Sequence, residues 1–230
     1  MVHIYRREGI YYPSVTTIIG ATTPVPERLA NWKLTSGAAG VKKMKDSQIT
    51  GTLAHYRVLN KLAPQLLEPP NFRYEDLPKG TDKKLDMCEI MFDALELKIG
   101  YPRRIEKLLY SKEHIYAGTP DLVAPINDVY TLADLKTSKE IYESHKLQMG
   151  GYYELLGCTP EQALLISINP DPYTNPHMRA HTALITKEEL EMYRTKFLNL
   201  VKQFHSMELT PKLVKEHGLS FEEEPIIGSD

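Results

Sequence analysis

The chain has 230 residues, 28 Lys and Arg against 30 Asp and Glu, 42% hydrophobic and 25% charged residues, and a formal net charge of −2. These values exclude a mainly disordered chain, and the near-neutral balance means that any nucleic-acid contact must rest on a local groove. No apolar run reaches the roughly 18 residues of a membrane helix, Met1–Glu8 has no leader-like pattern, and Cys88 and Cys158 are too few for a disulfide framework or an iron–sulfur cluster, so reduced thiols, no membrane partner and a cytoplasmic location are expected.

In chain order, residues 3–6 and 10–12 read as short strands joined by Arg7-Glu8-Gly9. Ser14 or Thr16 is placed to cap a short helix. Thr22-Thr23-Pro24-Val25-Pro26 breaks the chain before a helix over 27–34, and Gly37 to Gly40 break it again before a helix over 49–62 that contains His55. Residues 64–80, with Pro64, Pro69, Pro70, Pro78 and Gly80, read as an irregular connector. Thr81 or Asp82 is expected to cap a helix over 83–98, whose Leu85, Cys88, Ile90, Met91, Leu95 and Ile99 recur near helical period. The texture changes after Gly100-Tyr101-Pro102. Residues 106–111, 115–126 and 129–136 read as strands, the last two joined by Asn127-Asp128. A helix over 142–156, strands over 162–169 and 177–185, and a helix over 187–207 capped by Thr186 with Glu189 follow. The acidic Glu222-Glu223-Glu224 reads as a solvated end. The whole is an α/β chain with a helical N-terminal half. The expected organisation is one domain over 1–230: a mainly helical part at 1–100, an α/β core at 101–207 and a tail at 208–230.

The chemistry concentrates in the strands. Asp134 and Lys136 are two apart and share one strand face. Asp121, in Gly118-Thr119-Pro120-Asp121, converges with them if 115–126 pairs antiparallel with 129–136. An isolated D-x-K is more often a strand-end ion pair. Here two carboxylates beside an ammonium fit a divalent-metal hydrolysis site, in which the metal lowers the pKa of a bound water and the lysine orients it or offsets developing charge. His55 adds an imidazole, making a mixed site for Mg2+ or Mn2+ that favours Mn2+. Glu106 reads as a supporting or second-metal carboxylate. Gln148 and Tyr152, four apart, share a helix face and suit contacts to phosphate, water or a base. Gly150-Gly151 between them fit a close backbone approach. Lys42-Lys43-Lys45 and Arg103-Arg104-Lys107 are short basic clusters that would line a groove if one passes them.

Taken together, Gly-Thr-x-x-His (51–55), Glu106, Gly-x-Pro-Asp (118–121), Asp-x-Lys-Thr-Ser (134–138) and Gln-x-x-x-Tyr (148–152) follow the order seen in RecB-like PD-(D/E)XK nucleases. Pro13-Ser14-Val15-Thr16, Trp32-Lys33 and the Gly-rich stretch before Gly51 resemble the mitochondrial genome-maintenance exonuclease branch. The resemblance spans roughly residues 11–205. It implies a restriction-endonuclease-like core, a central mixed sheet flanked by helices, with an N-terminal helical cap. It further implies a metal-dependent deoxyribonuclease, often exonucleolytic and often acting on single-stranded DNA. Carried over, His55, Asp121, Asp134 and the Leu135 carbonyl are metal ligands for one or two ions, Lys136 is the catalytic lysine and Glu106 assists. Gln148 and Tyr152 complete the motif. Ser14, Thr16 and Trp32 contact DNA or pack the cap. The sequence departs from the group in lacking four cluster cysteines and an acidic residue after His55, where Tyr56-Arg57-Val58 stands. A duplex or structure-specific endonuclease on the same core, or a non-catalytic DNA-binding protein, are the alternative functions.

Overall fold

The computed structural model describes residues 2–25, 27–64, 66–73, 75, 77–169, 180–219 and 221–223. Its centre is a five-stranded mixed sheet. The strands are β3 (Arg104–Ile105), β6 (Leu122–Ile126), β7 (Val129–Lys136), β8 (Gln162–Ser167) and β9 (His181–Thr186), and they lie in that order. The β6–β7 hairpin turns on Asn127 and Asp128, both at positive φ (49° and 66°), as its two-residue loop requires. Between the parallel pair β7 and β8 the chain crosses over through α4 (Glu143–Leu155).

Side chains alternate along each strand, so the sheet buries two apolar faces. On one, Val123, Leu132, Leu165 and Ile185 pack with α1 (Val15–Thr22), α4 and α5 (Lys187–Ser206). On the other, Ala124, Leu135, Leu164 and Ile166 pack with the later part of α2 (Glu27–Leu62) and with α3 (Thr81–Asp93). Arg57 to Asp86 and Glu89, and Lys61 to Asp93, tie α2 to α3 along their solvent edge. Among the described residues no helix is long and apolar enough to cross a membrane.

Gly150 sets the α4–α5 distance. A Cβ there would sit 2.3 Å from the backbone carbon of Tyr193, which no side-chain rotation relieves. Gly150→Ala is therefore expected to lose about 3 kcal/mol of stability, read as a lower denaturant midpoint at unchanged slope.

Several expected elements are redrawn. The strand over 115–126 divides into β5 (Tyr116–Gly118), paired with β4 (Leu109–Ser111) in a separate ribbon, and β6. The chain leaves one ribbon and enters the other at Thr119-Pro120-Asp121, where proline has no N–H for a ladder. The strand over 106–111 is likewise cut, because Glu106 takes φ 40° between β3 and β4. The helix over 83–98 starts at Thr81 behind Gly80 in the left-handed region, which takes the place of a side-chain cap, and ends at Asp93. Helical structure runs from 27 to 62, broken only at Gly37 (φ 51°, ψ −142°); Gly40 stays helical beneath Trp32.

The region after 207 carries regular structure among its described residues. It forms α6 (Leu209–His217) and β10 (Phe221–Glu223), and β10 pairs in parallel with β1 (Ile4–Arg7), itself hairpinned to β2 (Ile10–Pro13). Ser14 caps α1, and Thr186 caps α5 with Glu189 reciprocating, as read from the sequence. The strand expected over 177–185 is seen from His181; residues 177–179 lie outside the described residues, as does Glu224.

Candidate active site

Asp121 stands immediately before β6, where the β6–β7 ladder ends at the pair Leu122–Ala133. Its Oδ2 accepts the Leu135 N–H at 2.7 Å, which fastens the carboxylate to the next strand. The Leu135 carbonyl faces the same side, because N–H and C=O of one strand residue point together. His55 reaches across from α2 and brings Nδ1 to 3.3 Å from the same Asp121 oxygen. The Glu106 N–H donates to the Asp121 carbonyl at 3.0 Å, and its left-handed backbone turns the side chain toward the same point. Ligand atoms of His55, Glu106 and Asp121 all lie within 4.8 Å of one another.

Asp134 and Lys136 lie on the α4 side of β7. The Lys136 ammonium is 2.7 Å from Asp134 Oδ2 and donates to Gln148 Oε1 at 2.8 Å. Gln148 Nε2 in turn donates to the Tyr152 hydroxyl at 2.7 Å. This chain of contacts fixes the lysine from two directions. Asp134 is 1% exposed, and apart from that ion pair neither of its carboxylate oxygens has a hydrogen-bond partner among the described residues. Buried carboxylate oxygens normally find several donors, and this carboxylate meets the Lys136 ammonium alone among the described residues.

The electrostatics follow. Burial opposes ionisation of Asp121, but His55, Lys136 and the Leu135 N–H outweigh it and hold the carboxyl below its ordinary range. Burial, with Asp121 nearby, pushes Asp134 up to about 6 despite Lys136. Burial works against the His55 imidazolium, yet Asp121 prevails and raises its pKa. Burial and the Asp121 charge raise Glu106. Crowded carboxylates whose pKa values are pushed apart mark a functional site. Oxygen donors joined by one imidazole can hold a divalent metal ion.

The structure thus brings together His55, Glu106 and Asp121, with Asp134, Leu135 and Lys136 beside them and Gln148 and Tyr152 behind the lysine. Ser14 bridges to Ala117, and the adjoining Val15 meets Tyr152 around Gly118. Ser14 is buried, and its Oγ accepts the Thr17 N–H and donates to Thr17 Oγ1. Exposed Thr16 has its hydroxyl 3.0 Å from Ser14 Oγ. Trp32 is half-buried on α2 beyond the Gly37 break, beside Val41 and Met44. One neighbour was not foreseen. His145 caps α4 by accepting the Tyr142 N–H, and burial together with the Lys136 charge lowers its pKa to about 4. No sequence spacing marks it, since its link to Lys136 exists only in the fold.

No family model and no curated protein matches the chain. Among solved structures it is similar to LHK-Exo in complex with dAMP, at 10% identity and a TM-score of 0.40, covering 88% of this chain and 91% of that one. It is also similar to an alkaline exonuclease (LHK-Exo) from Laribacter hongkongensis, at 12% identity and a TM-score of 0.39, covering 89% and 94%.

Proposed function

We propose that this protein is a divalent-metal-dependent deoxyribonuclease, an exonuclease acting on single-stranded DNA. The observation that carries the reading is the gathering of His55, Glu106 and Asp121 within 4.8 Å, beside a buried Asp134 that is paired to Lys136. His55, Asp121, Asp134 and the Leu135 carbonyl would hold Mn2+ or Mg2+, with Glu106 as a further ligand or the anchor of a second ion. When bound, the metal supplies a more acidic water and charge to offset the phosphorane. Lys136, held by Asp134 and Gln148, positions the attacking water against the scissile phosphate. Tyr152 keeps the Gln148 amide oriented so that its oxygen faces the lysine. His55 comes from the helical half and the carboxylates from the strands, so the cap and core together flank the substrate. A narrow passage between them would admit one strand and reject a duplex.

One gel tests this. Linear single-stranded, duplex and circular DNA, labelled at either end, are incubated with Mg2+, Mn2+ or EDTA, beside Asp134→Ala. Loss of linear single strands alone, dependent on metal and on Asp134, is the expected result, and the label gives the polarity. Cutting of circles would replace the exonuclease with an endonuclease. DNA binding without cleavage in either metal would overturn the enzyme.

A further inference from the structure

A groove of about 1200 Å³ is lined by charged side chains that are mainly basic. Lys42, Lys43 and Lys45 come from α2, Lys79 and Lys84 from the chain around the start of α3, and Lys139 from the turn after β7. Asp46 and Glu75 are the two acids among the lining residues. None of the six lysines has an ion-pair or hydrogen-bond partner among the described residues, whereas Lys61, Lys112 and Lys196 each meet a carboxylate. Six ammonium groups gathered with only two carboxylates among the described lining residues repel one another, so the arrangement favours a polyanion in the groove.

The groove begins where β7 ends, next in the chain to the site. Its floor includes Thr137 and Ser138, the two residues after Lys136, and Asn169 at the end of β8. That places it at the carboxyl ends of the parallel pair β7 and β8, where open α/β sheets receive ligands. Thr50 on its wall is five residues before His55, and Lys45 is ten before it, roughly 15 Å along the helix. Among the described residues the lining contains no aromatic side chain, so these walls offer charge rather than stacking. Lys45 also lines a second pocket of about 420 Å³ with Trp32, Val41 and Met44, whose apolar floor suits a base.

We infer that the lysine groove carries the sugar–phosphate backbone of a single nucleic-acid strand between His55 and Trp32, with an unpaired base against Trp32. The inference rests on the nuclease reading for its direction toward the site, but binding in the groove needs no metal. Lysine ammonium groups meet phosphates as point charges and read no sequence, so binding is sequence-tolerant and strongly salt-dependent. A base reaches Trp32 only when it is not paired within a duplex.

Trp32 is the single tryptophan of the chain, so its fluorescence reports this path directly. A short oligothymidylate is titrated in EDTA against the wild type, Lys42→Glu, Lys79→Glu, Lys139→Glu and Lys202→Glu, the last on α5 and outside the groove. The oligonucleotide is expected to quench Trp32. Each groove variant should bind about tenfold more weakly and lower the salt slope by roughly 0.7, while Lys202→Glu stays near the wild type. Thermal melts confirm that these surface variants are folded. Groove variants that bind like the wild type would overturn the inference even where cleavage proceeds. Polyglutamate that binds as tightly and quenches equally would overturn the assignment to nucleic acid. A wild type that binds in this way but never cleaves would overturn the nuclease and leave the groove.

Discussion

Lys136→Ala is expected to lower the single-turnover cleavage rate by about 10²–10³-fold while DNA binding in EDTA changes little. The side chain is short of freedom. Its ammonium is held at 2.7 Å by Asp134 and at 2.8 Å by Gln148, and Gln148 is held by Tyr152. Geometry of that kind serves the transition state, because the cost of ordering the group is met by the fold before substrate arrives. Gln148→Ala removes one of the two restraints and should cost about tenfold, with Gln148→Glu restoring part of the rate by again offering an oxygen to the ammonium. Cleavage by Lys136→Ala within about threefold of the wild type would take the lysine out of the chemistry.

The second large effect has opposite signs for stability and activity. Asp134→Asn should abolish cleavage and make the metal-free protein more stable by about 1–3 kcal/mol, because it replaces with a neutral amide of the same shape a carboxylate whose charge burial opposes more than Lys136 offsets it. The pH dependence has a definite sign. Asp134 ionises at about 6 in the fold against 3.8 for an aspartate in water, so between those values the folded state binds the extra proton. The destabilisation is fully present above about pH 6 and is relieved as the pH falls toward 3.8. The stability gap between Asp134→Asn and the wild type should therefore be largest at neutral pH and close on acidification. Adding Mn2+ should raise the melting temperature of the wild type and leave that of Asp134→Asn nearly unmoved. A variant no more stable than the wild type at neutral pH would show that the carboxylate is already satisfied by Lys136.

Much of the site was legible because its spacing is local. Asp134 and Lys136 share a strand face by period alone, and Asn127-Asp128 between apolar runs marks the hairpin that carries Asp121 toward them. Thr186 with Glu189, and Ser14 before Val15, are capping signals with short-range causes. What was not legible depends on distant partners. Pro120 interrupts the ladder beside residue 119, but the alternation runs through both segments, and it is pairing with β4 and β7 that sends β5 and β6 into different sheets. Gly37 and Gly40 look alike in sequence. Only Gly37 adopts positive φ, while Gly40 is required inside the helix because a Cβ would meet Ser36. The lysine groove was half visible: Lys42, Lys43 and Lys45 are adjacent in the chain, but Lys79, Lys84 and Lys139 join them through tertiary structure alone.

The parallel pairing of β10 with β1 sets an order of events during synthesis. Tyr5 faces Phe221, so β1 acquires its second neighbour only when residues 221–223 have left the ribosome. By then β6 to β9, and every side chain of the candidate site, have already emerged. A nascent chain can thus assemble the catalytic sheet while the edge of the N-terminal hairpin is still open to other strands. Closing that edge joins residues more than 200 positions apart, a contact of high sequence separation.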